Sequence, residues 1–511
     1  MVLYSAKTLF TFIFFFLVLS LPHLSASAST DFYGSVLLKA SPIQFINSAK
    51  EVITNLQQVT TVLSRFNVNA THPRVSNAIS DCLDLVDLSE ENLHWSISAI
   101  QNPNGKDNST GNVNSDLRTW LSAVLVNPDT CIEGLQGTNV KAVVSTRLDH
   151  VKSVVKNLLD QVIPFNDHLT TDIGSDRFPS WIKDNDVNLL HANKNKVNAD
   201  AVVAADGSGN YRTVMDAITA APEKSNKRYV IHVKTGVYVE NVVIDKKKWN
   251  IMIIGDGMDA TVISGSLSKV DGTTTFKSAT FAVKGRGFIA RDVSFQNTAG
   301  PEKHQAVALR SSSDLSVFYR CGIYGYQDSL YAHSMRQFYR ECKITGTVDF
   351  IFGDATAVFQ KCQIVARKRK PDQENTITAQ GRQYPTQPTG FSFQFCNISG
   401  ESGLTNPTYL GRPWRKYSRT IFMQSYMSDA IKPEGWLEWT GSFALDTLYY
   451  GEYMNSGPGA VVTNRVKWSG YHVLNDSNEA IKYTVAQFID GDRWLPATGV
   501  TYDSGLTVNN I

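Results

Sequence analysis

Hydrophobic positions change their period once along this chain. Between about Ser41 and Leu169 they recur at intervals of three and four. Val52, Leu56, Val59, Leu63 and Phe66 share one helical face, and Val75, Ile79, Cys82, Val86, Leu93, Ile97 and Ile100 share a second, with Pro73 just ahead of it. Leu117, Trp120, Leu121 and Val124 predict a third helix halted near Pro128; Val140, Val144, Val151, Val155 and Leu158 predict a fourth. Four amphipathic helices with short links make an all-α up-and-down four-helix bundle. Cys82 on the second helix and Cys131 just after the third are placed to pair and pin the two.

A polar stretch rich in Asn, Asp and Lys, residues 171–197, reads as a linker. Beyond Ala201 short β-branched and aromatic runs alternate with Gly, Asn and Asp turns. Phe318, Tyr339, Phe359 and Phe393 each precede a cysteine by three residues (Cys321, Cys342, Cys362, Cys396), and Ile323, Ile344, Ile364 and Ile398 follow each cysteine by two. On a continuous strand the aromatic would face away from the cysteine–isoleucine pair. A period near 20 residues with one longer insertion suits a solenoid, here a right-handed parallel β-helix. A β-sandwich with coincidental spacing is the alternative. The expected chain is therefore multidomain: bundle (29–170), linker (171–197) and all-β solenoid (198–511).

Composition narrows the setting. Of 511 residues 19% are charged and 42% hydrophobic, which excludes disorder and coiled coil. The net charge of +2 divides into −3 before Val197 and +5 from there on, suiting a polyanionic partner but too weak for nucleic acid. Lys7, an apolar run from Leu9 to Leu21 and the small residues Ala26-Ser27-Ala28 read as a secretory signal over residues 1–28. That run is too short to span a bilayer. A secreted, extracellular protein is expected, with sequons at Asn69, Asn108, Asn397 and Asn475. In the second half Cys362 and Cys396 are the best disulfide candidates, while Cys321 and Cys342, one coil apart, either bond or stack as thiols.

Candidate chemistry gathers in one register. Asp349, in Thr347-Val348-Asp349-Phe350-Ile351-Phe352-Gly353, is a charge in an apolar strand; Asp328 lies among aromatics 21 residues earlier, about one coil. Adjacent carboxylates that cannot both ionise easily divide into an acid and a base or nucleophile. Gln305 lies 22 residues before Gln327, so two amides reach the same face, where paired donors suit a developing oxyanion. Arg412 and Trp414 add a cation and an aromatic platform. No zinc motif, nucleophile elbow or complete phosphate loop accompanies them. His304 and His333 read as structural or substrate-adjacent.

These residues resemble the plant-type pectin methylesterases. The likeness runs through Gly236-Val237-Tyr238-Val239-Glu240, Gln305-Ala306-Val307-Ala308-Leu309, Gly325-Tyr326-Gln327-Asp328, Asp349-Phe350-Ile351-Phe352-Gly353, Leu410-Gly411-Arg412-Pro413-Trp414, Gly435-Trp436-Leu437-Glu438-Trp439 and Trp494-Leu495-Pro496. The helical half is similar to that family's inhibitor-like pro-region. The resemblance implies a carboxylic ester hydrolase that removes the C6 methyl esters of homogalacturonan, releasing methanol, in the cell wall. It implies Asp349 as nucleophile forming an acyl-enzyme, Asp328 as general acid then base, Gln305 and Gln327 as oxyanion donors, and Arg412 as the group orienting Asp349. Gln305, Arg412, Trp414 and Trp436 would line the sugar groove. No metal or other cofactor is implied. The implied partners are pectin and a proteinaceous pectinesterase inhibitor, for a monomer with no membrane span.

Four departures from the family pattern stand out: Ser329 replaces the usual Thr, Cys82 and Cys131 stand without the family's additional earlier cysteine pair, and two more concern charge. Asp354 stands where Asn is common, adding a charge near the nucleophile, and Asp186-Val187-Asn188-Leu189-Leu190-His191 stands where a basic-Leu-Leu processing motif is usual. Rival readings are another pectin-acting β-helix enzyme, a lyase or polygalacturonase, and a non-catalytic wall-binding or inhibitor protein. The paired glutamines favour acyl chemistry over glycosidic cleavage. A bundle of opposite net charge is further expected to cover the cleft.

Overall fold

The structure is a computed structural model that describes residues 36–68, 72–103, 110–164, 198–369 and 373–506. The proposed signal, nearly all of the linker, and the sequons at Asn69 and Asn108 lie outside the described residues. Four helices come first: α1 (Pro42–Val68), α2 (Pro73–Gln101), α3 (Val113–Gly134) and α4 (Asn139–Gln161). Asn112 caps α3 by accepting from the Ser115 amide, and Thr138 caps α4 by accepting from that of Lys141. The apolar faces read from the periodicity meet in one core that includes Leu56, Leu63, Ile79, Leu93, Leu121, Val144 and Val155.

Helix α3 does not stop at Pro128 but continues to Gly134, so Cys131 lies inside it. An interior proline costs about 3 kcal/mol. Here the helix is buried along most of its length, and Cys131 bonds Cys82 of α2. Packing and the cross-link outweigh the proline.

From Ala201 the chain winds into three parallel sheets of eleven, seven and eight strands. One coil takes a strand from each sheet, as in Leu330–Ala332, Arg336–Arg340 and Lys343–Gly346. Equivalent residues stack in register: Phe318, Tyr339, Phe359, Phe393 and Phe422 in one sheet, and Ile323, Ile344, Ile364 and Ile398 in another. Consecutive aromatic rings of the first row lie face to face at 4.5–4.8 Å.

The expectation that aromatic and cysteine face opposite ways fails. Both point into the same core. In each coil, between the strand of the eleven-stranded sheet and that of the eight-stranded sheet, sits one residue in the left-handed conformation (Arg320, Glu341, Lys361, Phe395), which turns the corner and resets the inward side. The Cys362–Cys396 disulfide is not formed either. Cys321, Cys342, Cys362 and Cys396 are buried free thiols. In parallel, in-register neighbours the backbone ladder holds equivalent positions ~4.8 Å apart, wider than the ~3.8 Å that a disulfide asks of its Cβ atoms. The thiols of Cys342 and Cys396 instead donate to the carbonyls of Phe318 and Phe359, at 3.2 and 3.3 Å.

Short C-terminal helices bearing Val485, Ile489, Trp494 and Leu495 cover the outer face of the eleven-stranded sheet. The bundle lies against the seven-stranded sheet. Its core is continuous with Phe276, Val307, Tyr331, Met335 and Phe352 of the solenoid. Among the described residues no helix is long and apolar enough to cross a membrane, and no group of potential metal ligands gathers.

Candidate active site

The seven-stranded sheet carries the predicted residues at the entrances to neighbouring strands. Asp328 precedes Leu330–Ala332 and Asp349 precedes Ile351–Gly353, paired through Leu330↔Ile351 and Tyr331↔Phe352. The amide of Asp328 donates to the Val348 carbonyl at 3.1 Å, which locks the two turns together. Both aspartates have positive φ, 64° and 50°. Such conformations cost of order 1 kcal/mol or more and persist only where neighbours enforce them. Gly353 closes the second strand at φ 126°, and a Cβ there would meet the Ala332 carbonyl oxygen at 1.9 Å, so no other residue fits.

Arg412 grips Asp349 with a fork: Nε donates to Oδ1 at 2.8 Å and Nη2 to Oδ2 at 2.7 Å. Thr376 completes the clamp. Its hydroxyl donates to Asp349 Oδ1 at 2.7 Å and accepts from the Asp349 amide at 2.9 Å. The other side of the Arg412 guanidinium rests on Trp439, 4.5 Å from the ring centre. Asp328 is 7% exposed. Burial first, and the charge of Asp349 second, push its carboxyl well above the ordinary value, while Arg412 and Lys269 pull weakly the other way. The pair thus holds one acid able to carry a proton beside one carboxylate fixed by a cation.

Both aspartates, Gln305, Gln327 and Trp414 line one cavity of about 430 Å3. The structure therefore brings together all but one of the expected site residues. The exception is Trp436, which is 1% exposed and lies inside the solenoid. It stacks on Tyr450 at 4.1 Å and donates its indole N–H to Glu452 at 3.2 Å. Trp439, three residues on, lines the cavity in its place. No periodic signal separates these two tryptophans, because residues 434–448 form an irregular loop. Thr376 was missed for a related reason: the insertion before it puts it 27 residues after Asp349, outside the 20-residue rhythm.

Asp354 lies away from the clamp on Asp349. It accepts from Gln380 at 3.1 Å, Gln387 at 2.7 Å and Thr389 at 2.5 Å, and burial raises it to about 7. His333 is fully buried, bonded to Ser312 and to Thr130 of the bundle, each at 3.0 Å. The bundle itself closes the cavity, contributing Asp81, Thr130, Glu133 and Gln136. Glu133 pairs with Arg415, whose guanidinium lies 4.9 Å from the Trp414 ring centre. Asn397 and Asn475 are exposed.

Known proteins resemble both halves of the chain. The family described as Pectinesterase matches residues 200–492, and that described as Plant invertase/pectin methylesterase inhibitor matches residues 18–160. Probable pectinesterase/pectinesterase inhibitor 32 of Arabidopsis thaliana is 59% identical over 97% of this chain and 98% of its own. A Prunus persica pectinesterase/pectinesterase inhibitor is 60% identical over 94% and 92%. The solved pectin methylesterase from carrot is 56% identical with a TM-score of 0.60, covering 61% of this chain and 99% of its own. The chain belongs to the pectinesterase family, a pectin methylesterase solenoid preceded by a bundle of the inhibitor type.

Proposed function

We propose that Asp349 is the nucleophile of a two-step ester hydrolysis on homogalacturonan. Its carboxylate attacks the C6 carbonyl carbon of a methylated galacturonate, and the carbonyl π electrons move onto oxygen. Gln305 and Gln327 donate to that oxyanion. As it collapses, the bond to methoxide breaks and Asp328 supplies the proton that makes methanol. Asp328, now a base, takes a proton from water, which attacks the acyl-enzyme and regenerates Asp349. The observation that carries this reading is the forked Arg412–Asp349 pair beside a buried, proton-retaining Asp328. Trp414 and Trp439 supply the sugar-stacking faces.

Asp349→Ala should lower methanol release by at least ~10⁴-fold while folding is kept, as removal of a covalent nucleophile does in other hydrolases. Activity within tenfold of the parent would reject the assignment. Chain shortening or unsaturated product without methanol would favour the lyase or galacturonase reading.

Residues 1–28 act as a cleaved secretory signal, Asn397 and Asn475 carry glycans, and the mature protein works as a monomer in the cell wall. The bundle over residues 29–170 keeps the enzyme latent, a reading supported by Glu133 and Thr130 at the cavity wall. Equal methanol release from the full mature chain and from residues 198–511 would refute latency.

A further inference from the structure

Asp354 puts an acid where the family commonly has the neutral Asn, and it is 3% exposed. Its surroundings are donors. Gln380 and Thr389 donate to Oδ1, and Gln387 donates to Oδ2. Neither glutamine can turn round without losing two backbone partners. Gln380 Oε1 accepts from the amides of Arg382 and Arg419, at 3.0 and 2.8 Å. Gln387 Oε1 accepts from those of Gln383 and Tyr384, at 3.0 and 2.9 Å. Both side chains therefore present Nε2 to Asp354, and only a group that accepts on both oxygens satisfies them. An Asn would set its own NH2 against one of these donors and leave a buried amide unpaired.

The same bonds shape a wall of the cavity. Residues 381–389 link the strands Asn375–Gln380 and Gly390–Gln394. Asp354 fastens this loop at both ends, through Gln380 at its start and through Gln387 and Thr389 at its finish. Arg382 closes it across the middle: Nε donates to the Gln387 carbonyl at 2.9 Å and Nη2 donates to that of Pro385. The loop in turn supports Trp414. That ring lies so near Gly381 that a Cβ there would meet its Cε3 and Cζ3 at 2.9 and 3.1 Å. The Arg382 carbonyl accepts from the Tyr417 amide at 3.0 Å, and Gln380 holds the Arg419 amide. Both bonds tie down the segment that carries Trp414. The clamp on Asp349 is made elsewhere, by Arg412 and Thr376.

We propose that Asp354 is a positioning residue for sugar binding: its two acceptor oxygens fix loop 381–389 and thereby hold the Trp414 ring where it meets a pyranose face. The role rests on the reading of Trp414 as a sugar-stacking platform and names the group that sets that platform. Because the oxygens of Asp354 are taken up by the loop, it governs how firmly pectin is held rather than the ester chemistry.

The test uses the solenoid, residues 198–511, since its interior core contains no bundle residue and the solved carrot chain, matched over 99% of its length, corresponds to 61% of this chain. Methanol release from methylated pectin is followed at about pH 8, above the value of about 7 to which burial raises Asp354, so that its carboxylate is charged. Asp354→Asn should raise KM roughly fivefold, the scale of one unpaired buried donor, with kcat within about twofold of the parent. Adding Gln387→Glu to that variant should bring KM back to within about twofold, because one new oxygen keeps the two backbone amides and the other accepts from the Asn NH2. In a Trp414→Ala background, Asp354→Asn should change KM by less than about twofold. An unchanged KM in Asp354→Asn, a kcat that falls in step with kcat/KM, a failure of Gln387→Glu to rescue, or a full additional loss beside Trp414→Ala overturns the role, whatever the unfolding midpoint does. Trp414→Ala by itself separates the readings. A raised KM there beside an unchanged KM in Asp354→Asn sinks the positioning role alone, whereas an unchanged KM in Trp414→Ala sinks the platform on which it rests.

Discussion

The bundle and the solenoid bury comparable kinds of residue but hold them by different means. In the bundle each helix meets its neighbours through a face that appears once, and a single disulfide, Cys82–Cys131, ties the two helices with the largest mutual interface. In the solenoid the same position recurs coil after coil, so a residue is held by copies of itself above and below. Cysteine shows the contrast best. Two cysteines on adjacent helices approach at whatever angle packing sets, and a bond forms with the Cα atoms 4.6 Å apart. Four cysteines in a parallel ladder are held at the backbone spacing, and they remain thiols.

That contrast is open to measurement. The largest effect should come from cutting the aromatic row: Phe359→Ala removes a ring stacked between Tyr339 and Phe393 and should cost about 3–5 kcal/mol, read as a lower unfolding midpoint of the solenoid alone. A loss under 1 kcal/mol would mean that the ladder does not depend on its individual rungs. Next, Cys82→Ser/Cys131→Ser should destabilise the bundle by about 2–5 kcal/mol, given the 49-residue separation, and leave the solenoid transition in place. Reductant should reproduce that pattern in the parent protein, because the solenoid has no described disulfide to lose. A shift of both transitions would break the distinction.

Smaller effects sharpen the two tryptophans and the interface. Trp439→Ala should raise KM for pectin several-fold through loss of an aromatic platform, while Trp436→Phe should lower stability by about 1–3 kcal/mol and leave KM unchanged. Steady-state kinetics with thermal melts separates them. The smallest effect concerns Asp81, which burial raises to about 6 against Thr274, Arg310 and Lys277. A carboxyl whose value is higher when docked takes up a proton on docking. Its contribution is therefore fully present below about pH 4, declines as pH rises, and is lost above about pH 6. Asp81→Asn should flatten the dependence of bundle–solenoid association between those pH values by several-fold; an unchanged profile would assign the dependence to other groups.

Much of this was legible in the residues alone, for a physical reason that differs between the halves. Helical faces and the 20-residue rhythm are written locally, by side chains that must share a face or a rank, and so the bundle, the solenoid and the alignment of Asp328 with Asp349 could be read off. The same rhythm placed Gln305 and Gln327 on the cavity. Pro128 was misleading because a local penalty was set against burial that only packing supplies.

What tertiary structure decided were the facts that depend on direction rather than period. A single left-handed residue at each corner turned aromatic and cysteine to the same interior. An irregular loop sent Trp436 inward and Trp439 to the cavity, and an insertion brought Thr376 onto Asp349. Above all, the contact of α2 with the cleft joins residues some two hundred positions apart, such as Asp84 with Lys284. No spacing along a chain encodes that distance; it exists only once two independently patterned surfaces, one acidic and one basic, have met.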